Sequence, residues 1–253
     1  MNEKGFTTAP IERQADVIAF YDRYAQTWDS RFGSALSTEV FLEQRWASFS
    51  SVMAGVPVRD RALELGVGTG VHIGECSKLF GQITAVDGSG GMLQVLRERM
   101  GELGVRNVEM VCSDVGQMEE IGTREYDVVY FFGLLEHIVD VSQFVTEIHR
   151  VLKSGGHLVG VTPNGVSPWY RLRRLIRGTG KHCATDTYYT EDGIAQVFPG
   201  DMFQLKALDY WGAVPAGINS RAVTAVLRAV GVGLEGTVLQ KWLGGITFDF
   251  VRI

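Results

Sequence analysis

Glu64-Leu65-Gly66-Val67-Gly68-Thr69-Gly70 is the stretch on which the fold turns. It closes a short apolar run that begins at Arg61 and leads into a helical pattern over residues 71–80, so three alternate glycines fall at a strand-to-helix turn. Glycine suits such a turn because the backbone must bend with unrestricted φ, and because the missing Cβ lets a ligand approach the main chain. A glycine-rich turn with no ligand uses the same residues, so the surroundings must decide between the two.

Outward from that turn the alternation continues. Apolar runs at 61–66, 82–87, 107–112, 126–132 and 155–162 are separated by helical patterns at 71–80, 89–103 and 140–152. Runs this continuous predict strands covered by helices on both faces, the doubly wound parallel sheet of an α/β domain. The helix over 140–152 is the plainest. Val141, Phe144, Val145, Ile148, Val151 and Leu152 share one side, Asp140 and Gln143 stand as a capping box, and Lys153 with Gly155-Gly156 ends it. After residue 186 come a short helix near 191–198, a strand at 204–211, a helix near 221–230 and a closing strand at 246–253. The last two strands lack a tight parallel crossover and predict an antiparallel pair finishing the sheet.

Ahead of residue 61 the signal is helical. Val17, Tyr21, Tyr24 and Trp28 form one stripe, and a second helical stretch covers residues 36–53. With no sheet of their own to cross, residues 1–60 are expected to form a helical cap on a core of 61–253, which carries an acceptor-side insertion at about 164–189.

The 253 residues, 45% hydrophobic and 21% charged, suffice for one sizeable core. A formal charge of −5 argues against a nucleic-acid partner. Cys76, Cys112 and Cys183 fall in no CxxC or Cys/His spacing, so neither a disulfide framework nor a structural zinc site is read from them, and a reducing cytoplasm is the expected location. The polar start and the lack of any apolar run near the roughly 18 residues of a membrane span predict a soluble, unprocessed chain.

Asp87 ends the second apolar run, 21 residues after Gly66, where a carboxylate accepts hydrogen bonds from ribose hydroxyls. A dinucleotide is the obvious competitor. Its fingerprint, however, wants a third glycine at position 71, over the pyrophosphate, and this chain has Val71 there and its third glycine at Gly70. A ligand with ribose and no pyrophosphate fits better. An acid closing an apolar strand has no packing role, and carboxylates are seldom buried unpaired, so Asp87 is read as functional.

Five motifs in order then make the chain resemble the class I S-adenosylmethionine-dependent methyltransferases over roughly residues 20–162. They are ELGVGTG (64–70), ITAVDGSGGML (83–93), VCSDVGQM (111–118), YDVVYFFGLLEHI (126–138) and EIHRVLKSGGHLVGVTPN (147–164). The LLEHI turn and the TPN after the fifth strand look most like small-molecule enzymes of the ubiquinone-biosynthesis O-methyltransferase type. The resemblance implies a Rossmann-like methyltransferase fold: a doubly wound, mostly parallel seven-stranded α/β sheet with an N-terminal helical cap and an antiparallel C-terminal strand. It implies S-adenosyl-L-methionine as cofactor and S-adenosyl-L-homocysteine as product. Gly66, Gly68 and Gly70 would lie against the methionine portion, with Glu64 oriented to its ammonium group. Asp87 would accept from both ribose hydroxyls. Met92 would pack on adenine, although core packing beside Leu93 and Leu96 explains it equally, and Asp114 would accept from the exocyclic amine. Gly88, Val115 and Phe132 complete the implied cofactor set, and the Tyr21 hydroxyl would reach the cofactor's carboxylate unless the N-terminal aromatics are only a packing stripe.

A sulfonium methyl is already activated, so the protein's remaining tasks are to align the nucleophile, exclude water and take a proton when the acceptor is a hydroxyl. His137, with Glu136 beside it at the carboxyl end of the fourth strand, is the candidate base; capping the next helix or pairing with Glu136 is the alternative role. Some relatives hold a divalent metal with an acid three residues before the Glu-His pair. This chain has Gly133 there, so no metal is expected. His72, His149, His157 and His182 lack a second partner at ligand spacing and are read as structural or exposed.

Between residues 148 and 185 seven basic and no acidic side chains contribute +7, leaving −12 for the remainder. Trp169, Leu172 and Ile176 alternate with arginines as a basic amphipathic helix over 168–181, for which three roles compete: a lid over an aromatic or anionic small-molecule acceptor, a weak contact to an anionic membrane surface, or a solvated face. The whole predicts methyl transfer to a small organic acceptor, at oxygen before nitrogen or carbon. An NAD-dependent oxidoreductase and a non-catalytic S-adenosylmethionine-binding protein are the rival classes.

Overall fold

The apolar runs are strands: β1 (Arg61–Leu65), β2 (Gln82–Asp87), β3 (Val108–Cys112), β4 (Tyr126–Phe132), β5 (Leu152–Pro163), β6 (Phe203–Trp211) and β7 (Gly245–Arg252). The computed structural model describes residues 13–32, 36–170, 187–214 and 220–253. Within them one seven-stranded sheet runs in the order β3-β2-β1-β4-β5-β7-β6. β1 to β5 pair in parallel, and β7 slots antiparallel between β5 and β6. This is the mixed, Rossmann-like sheet that the motif order implies.

Alternation along the central strands divides the core in two. Leu63, Leu65, Val129, Phe131 and Leu158 point to one face, which is covered by α6 (Val141–Val151) and α7 (Glu191–Val197) through Phe144, Val145, Ile148 and Ile194. Ala62, Ile83, Ala85, Val128 and Val159 point to the other, beneath α3 (Leu36–Met53), α4 (Ile73–Leu79) and α5 (Gly90–Leu103), which supply Phe49, Met53, Ile73, Leu93 and Leu96. Each fully buried Phe or Leu contributes roughly 1.5–3 kcal/mol by leaving water, so the two faces lock the sheet from both sides. The edge strands differ from the sequence expectation. β3 and much of β6 are half exposed, because each has a neighbour on one side only.

α3 crosses the sheet over β5, β6 and β7, and Ser48 anchors it by donating to Asp209 at 2.6 Å and contacting the Thr247 hydroxyl at 2.7 Å. It is therefore part of the core as well as part of the N-terminal cap. α1 (Gln14–Tyr24) and α2 (Trp28–Phe32) lie at the carboxyl ends of the strands, where Asp22 accepts from Ser89 Oγ and the Gly91 amide at 2.8 Å each.

α6 starts as expected, with Asp140 accepting from the Gln143 amide at 2.9 Å. Its end does not. Lys153 belongs to β5 and forms an ion pair with Asp127 at 2.5 Å, and the glycines break strand register instead of capping a helix. Gly155 takes φ +75° at this irregularity, which explains why a glycine pair mimics a helix stop in the sequence. α8 (Arg221–Leu234) completes the helices, and among the described residues no helix is long and apolar enough to cross a membrane.

Candidate active site

Sheet order reverses between β1 and β4, and the crevice beyond their carboxyl ends is where a doubly wound sheet accepts ligands. The turn after β1 lies there, with Gly66, Gly68 and Gly70 at φ of +62°, +55° and +68°. Their surroundings differ. A Cβ on Gly66 would come within 2.6 Å of Leu134 and one on Gly70 would overlap Leu96, whereas one on Gly68 would meet nothing within 4 Å. Two of the glycines thus serve packing, and the middle one faces open space.

Asp87 closes β2 opposite this loop. Its carboxylate accepts from the Gly68 amide at 2.8 Å and the Ser89 amide at 2.9 Å, joining the glycine loop to the start of α5. Asp87 therefore does have an internal role, which the sequence reading denied it. Protein surrounds the side chain and yet some of it remains accessible, the condition of a group lining a recess. Burial raises its pKa and the two amides oppose that rise. Gly88 has no room for a side chain because Ile18 of α1 lies 2.6 Å from its would-be Cβ. Met92 and Val115 are buried and back the crevice, and Asp114 accepts from the Gly116 amide at 2.9 Å.

Glu64 is buried at the end of β1 and accepts from the Tyr130 hydroxyl at 2.8 Å. Burial pushes its pKa up to about 7, against the pull of Tyr130 and of Arg45. Phe132 ends β4 with its ring 4.6 Å from Phe49 and 4.9 Å from His72, so it faces α3.

His137 sits in a short 3-10 turn, Leu135–His137, after β4, and its Nε2 is 2.8 Å from the Tyr21 hydroxyl. The rings meet edge to face at 5.3 Å. Gln14 of α1 ties the same loop down by accepting from the Val139 amide at 3.0 Å. Glu136 is buried and receives the Thr162 hydroxyl at 3.3 Å. The structure thus brings Tyr21, Glu136 and His137 together at one edge. The described ends of the insertion meet there too: Tyr170 and Tyr188 stack at 4.9 Å, and the Thr187 amide donates to the Glu136 carbonyl at 3.1 Å. Most of the basic segment over 168–181, together with His182 and Cys183, lies outside the described residues.

Two further histidines have structural partners. His157 Nδ1 lies 2.9 Å from Asp249, and Arg252 donates to His149 at 3.2 Å. Gly133 stands where an acid would complete a metal set, and among the described residues no three His, Cys, Asp or Glu side chains converge.

Residues 63–160, from β1 through β5, match the family described as Methyltransferase domain. That stretch is similar to a methyltransferase domain, and the fold is that of the DhpI–S-adenosyl-L-homocysteine complex at TM-score 0.64 and 17% identity over 95% of this chain and 97% of that one. It is 27% identical over 163 residues to the demethylmenaquinone methyltransferase of Tropheryma whipplei (strain Twist), covering 62% of this chain and 65% of that one. It is 31% identical over 152 residues to the malonyl-[acyl-carrier protein] O-methyltransferase of Bacillus anthracis, covering 59% and 51%. The chain thus spans less than two thirds of the length of these curated relatives. Its fold also matches the geranyl diphosphate C-methyltransferase of Streptomyces coelicolor A3(2), solved with Mg2+, geranyl diphosphate and S-adenosyl-L-homocysteine, at TM-score 0.66 and 13% identity over 96% of this chain and 100% of that one.

Ahead of the matched stretch, two residues escaped sequence reasoning. Arg45 projects from α3 between aromatic rings, and Asp22 of α1 holds the start of α5. Arg45 left a faint trace, a lone charge in register with Phe41 and Phe49; Asp22 left none, since it lies among other polar residues of α1.

Proposed function

We propose that the protein transfers the methyl group of S-adenosyl-L-methionine to a hydroxyl oxygen of a small organic acceptor. The observation that carries this reading is the Asp87 carboxylate bonded to the amide of Gly68, a left-handed glycine with open space before it. A recess between a ribose-binding acid and a bare backbone fits a nucleoside with an amino-acid tail. Glu64 suits the ammonium end, Asp87 the ribose and Asp114 the adenine amine, while Gly66, Gly68, Gly70, Gly88, Met92, Val115 and Phe132 form the walls.

When bound, the cofactor supplies a methyl already activated by its sulfonium. The chain's own residues align the acceptor, exclude water and take its proton. Holding reactants in line is worth up to roughly 7–11 kcal/mol in favourable cases. His137 is the base: the acceptor O–H proton passes to its imidazole and then to solvent, a step that contributes about 10²–10⁴-fold. Tyr21 fixes the ring and Glu136 lies next to it. The described ends of the insertion, 164–170 and 187–189, border the acceptor, a reading supported by the Tyr170–Tyr188 stack and the Thr187 bond to Glu136. A hydroxyl acceptor makes direct use of such a base, because its O–H proton leaves as the O–methyl bond forms.

Titration with S-adenosyl-L-homocysteine and with NAD(H), followed by an acceptor screen reading S-adenosyl-L-homocysteine release and NMR of the methylated product, tests the reading. Binding of the thioether nucleoside and an O-methyl product are expected. Tight NAD(H) binding without it overturns the cofactor assignment, a C-methyl product overturns the acceptor atom, and binding with no turnover reduces the protein to a scaffold.

A further inference from the structure

Arg45 stands in the middle of α3, with its guanidinium carbon 5.8 Å from the centre of the Phe41 ring and 5.3 Å from that of Phe132. Its Nε donates to His72 Nε2 at 3.0 Å. His72 can accept only as neutral imidazole, and burial, reinforced by the adjacent cation, brings its pKa down to about 3. One nitrogen of the fork is thereby fixed to the helix after the glycine loop. Among the described residues the two terminal nitrogens donate to no side chain or carbonyl and no carboxylate lies within ion-pair distance; Glu136 and Glu64 act on the charge from further away. The side chain is enclosed by protein and still keeps accessible surface, so those two N–H groups line a recess.

An enclosed guanidinium with no carboxylate beside it among the described residues is costly, and burial lowers its pKa to about 10, which leaves it charged at neutral pH. We propose that Arg45 anchors a carboxylate carried by the methyl acceptor. The assignment rests on the methyltransferase reading above. The fork lies over Phe132 at the end of β4 and is held by His72 after the glycine loop, while Phe41 on its other side leans on Trp211 of β6 at 5.2 Å, so the recess opens between the β1 turn and the β6 side of the sheet. Two coplanar N–H groups match the two oxygens of a carboxylate. One negative charge balances the fork, whereas a phosphate dianion would suffer from Glu64 and Glu136 nearby. The Phe41 and Phe132 rings offer apolar walls to the rest of the acceptor.

Calorimetry on the full chain saturated with S-adenosyl-L-homocysteine tests this, using two matched pairs as probes: 4-hydroxybenzoate against 4-hydroxybenzamide, and octanoate against octanamide. In at least one pair the anion should bind about tenfold tighter than the amide. Arg45→Gln should erase that preference while S-adenosyl-L-homocysteine affinity stays within about threefold. If the glutamine variant fails to fold by thermal unfolding, Arg45→Lys, which keeps the charge and loses the planar fork, should still weaken the anion preference severalfold. Absence of any anion preference, or its survival in the folded variants, overturns the proposal. So does a variant that loses S-adenosyl-L-homocysteine while still binding 5′-methylthioadenosine, which lacks the amino-acid carboxylate, because the fork would then belong to the cofactor. Failure of the unmutated chain to bind either nucleoside removes the methyltransferase reading first and this inference with it.

Discussion

The Tyr21 hydroxyl and His137 Nε2 stand 2.8 Å apart, joining the N-terminal helix to the turn after β4 across 116 positions of chain. An imidazole held by a phenol cannot swing freely, so α1 sets the orientation of the candidate base. His137→Ala should cut turnover by about 10²–10⁴-fold with cofactor affinity little changed. Tyr21→Phe should lower turnover less, because the ring contacts survive and only the hydrogen bond is lost. Steady-state kinetics with a calorimetric affinity control separates these; full activity in His137→Ala removes it as the base.

Asp87 has two tasks, and they respond to different measurements. As a charged acceptor for ribose it should be worth about 1.5–3 kcal/mol of cofactor affinity, read as the loss in Asp87→Ala. As the acceptor for the Gly68 and Ser89 amides it also holds the loop, so the same variant should unfold at lower urea concentration. Asp87→Asn keeps an acceptor oxygen and should retain more stability than affinity. Unchanged affinity in both variants refutes the ribose assignment.

Much of this was legible in the sequence, and the failures share a cause. Strand runs at β1, β2 and β4 are visible because strands covered on both faces must be apolar throughout, and the glycine spacing favours a nucleoside over a dinucleotide. Lys153 reads as helical in the sequence because a glycine pair marks a helix stop and a strand irregularity alike. The internal bonds of Asp87, the contact of Tyr21 with His137 and the enclosure of Arg45 all depend on which elements meet in space. Periodicity within one element carries no such information.

Glu64 makes stability depend on pH in a direction opposite to that of an ordinary ion-paired acid. Its folded pKa, pushed up to about 7 by burial, exceeds the ordinary 4.5 of the unfolded chain, so between those values the folded state binds more protons and stability falls as pH rises. The loss amounts to about 3 kcal/mol in order of magnitude. Urea unfolding from pH 4.5 to 8 should show this decline in the cofactor-free chain, and Glu64→Gln should flatten it. A cofactor ammonium beside Glu64 favours the carboxylate, so binding near pH 6 should release a proton. Calorimetry in buffers of different ionisation enthalpy reads that release, and identical heats in both buffers would exclude it.

Gly68 and Gly70 share a left-handed φ but not a neighbourhood, so alanine at each should do different damage. At either position the strain of the left-handed backbone costs about 1–2 kcal/mol. Gly70→Ala adds a clash with the fully buried Leu96 and close approach to Ile73 at 3.3 Å, so its stability loss should exceed that figure clearly. Gly68→Ala meets no atom within 4 Å and should stay near the strain cost alone. Its methyl would instead enter the space assigned to the cofactor, so S-adenosyl-L-homocysteine binding should fall by more than about tenfold at modest cost in stability. Paired urea titrations and binding isotherms check the contrast. Native affinity in Gly68→Ala would mean that the open space before that residue is not where the nucleoside's tail lies.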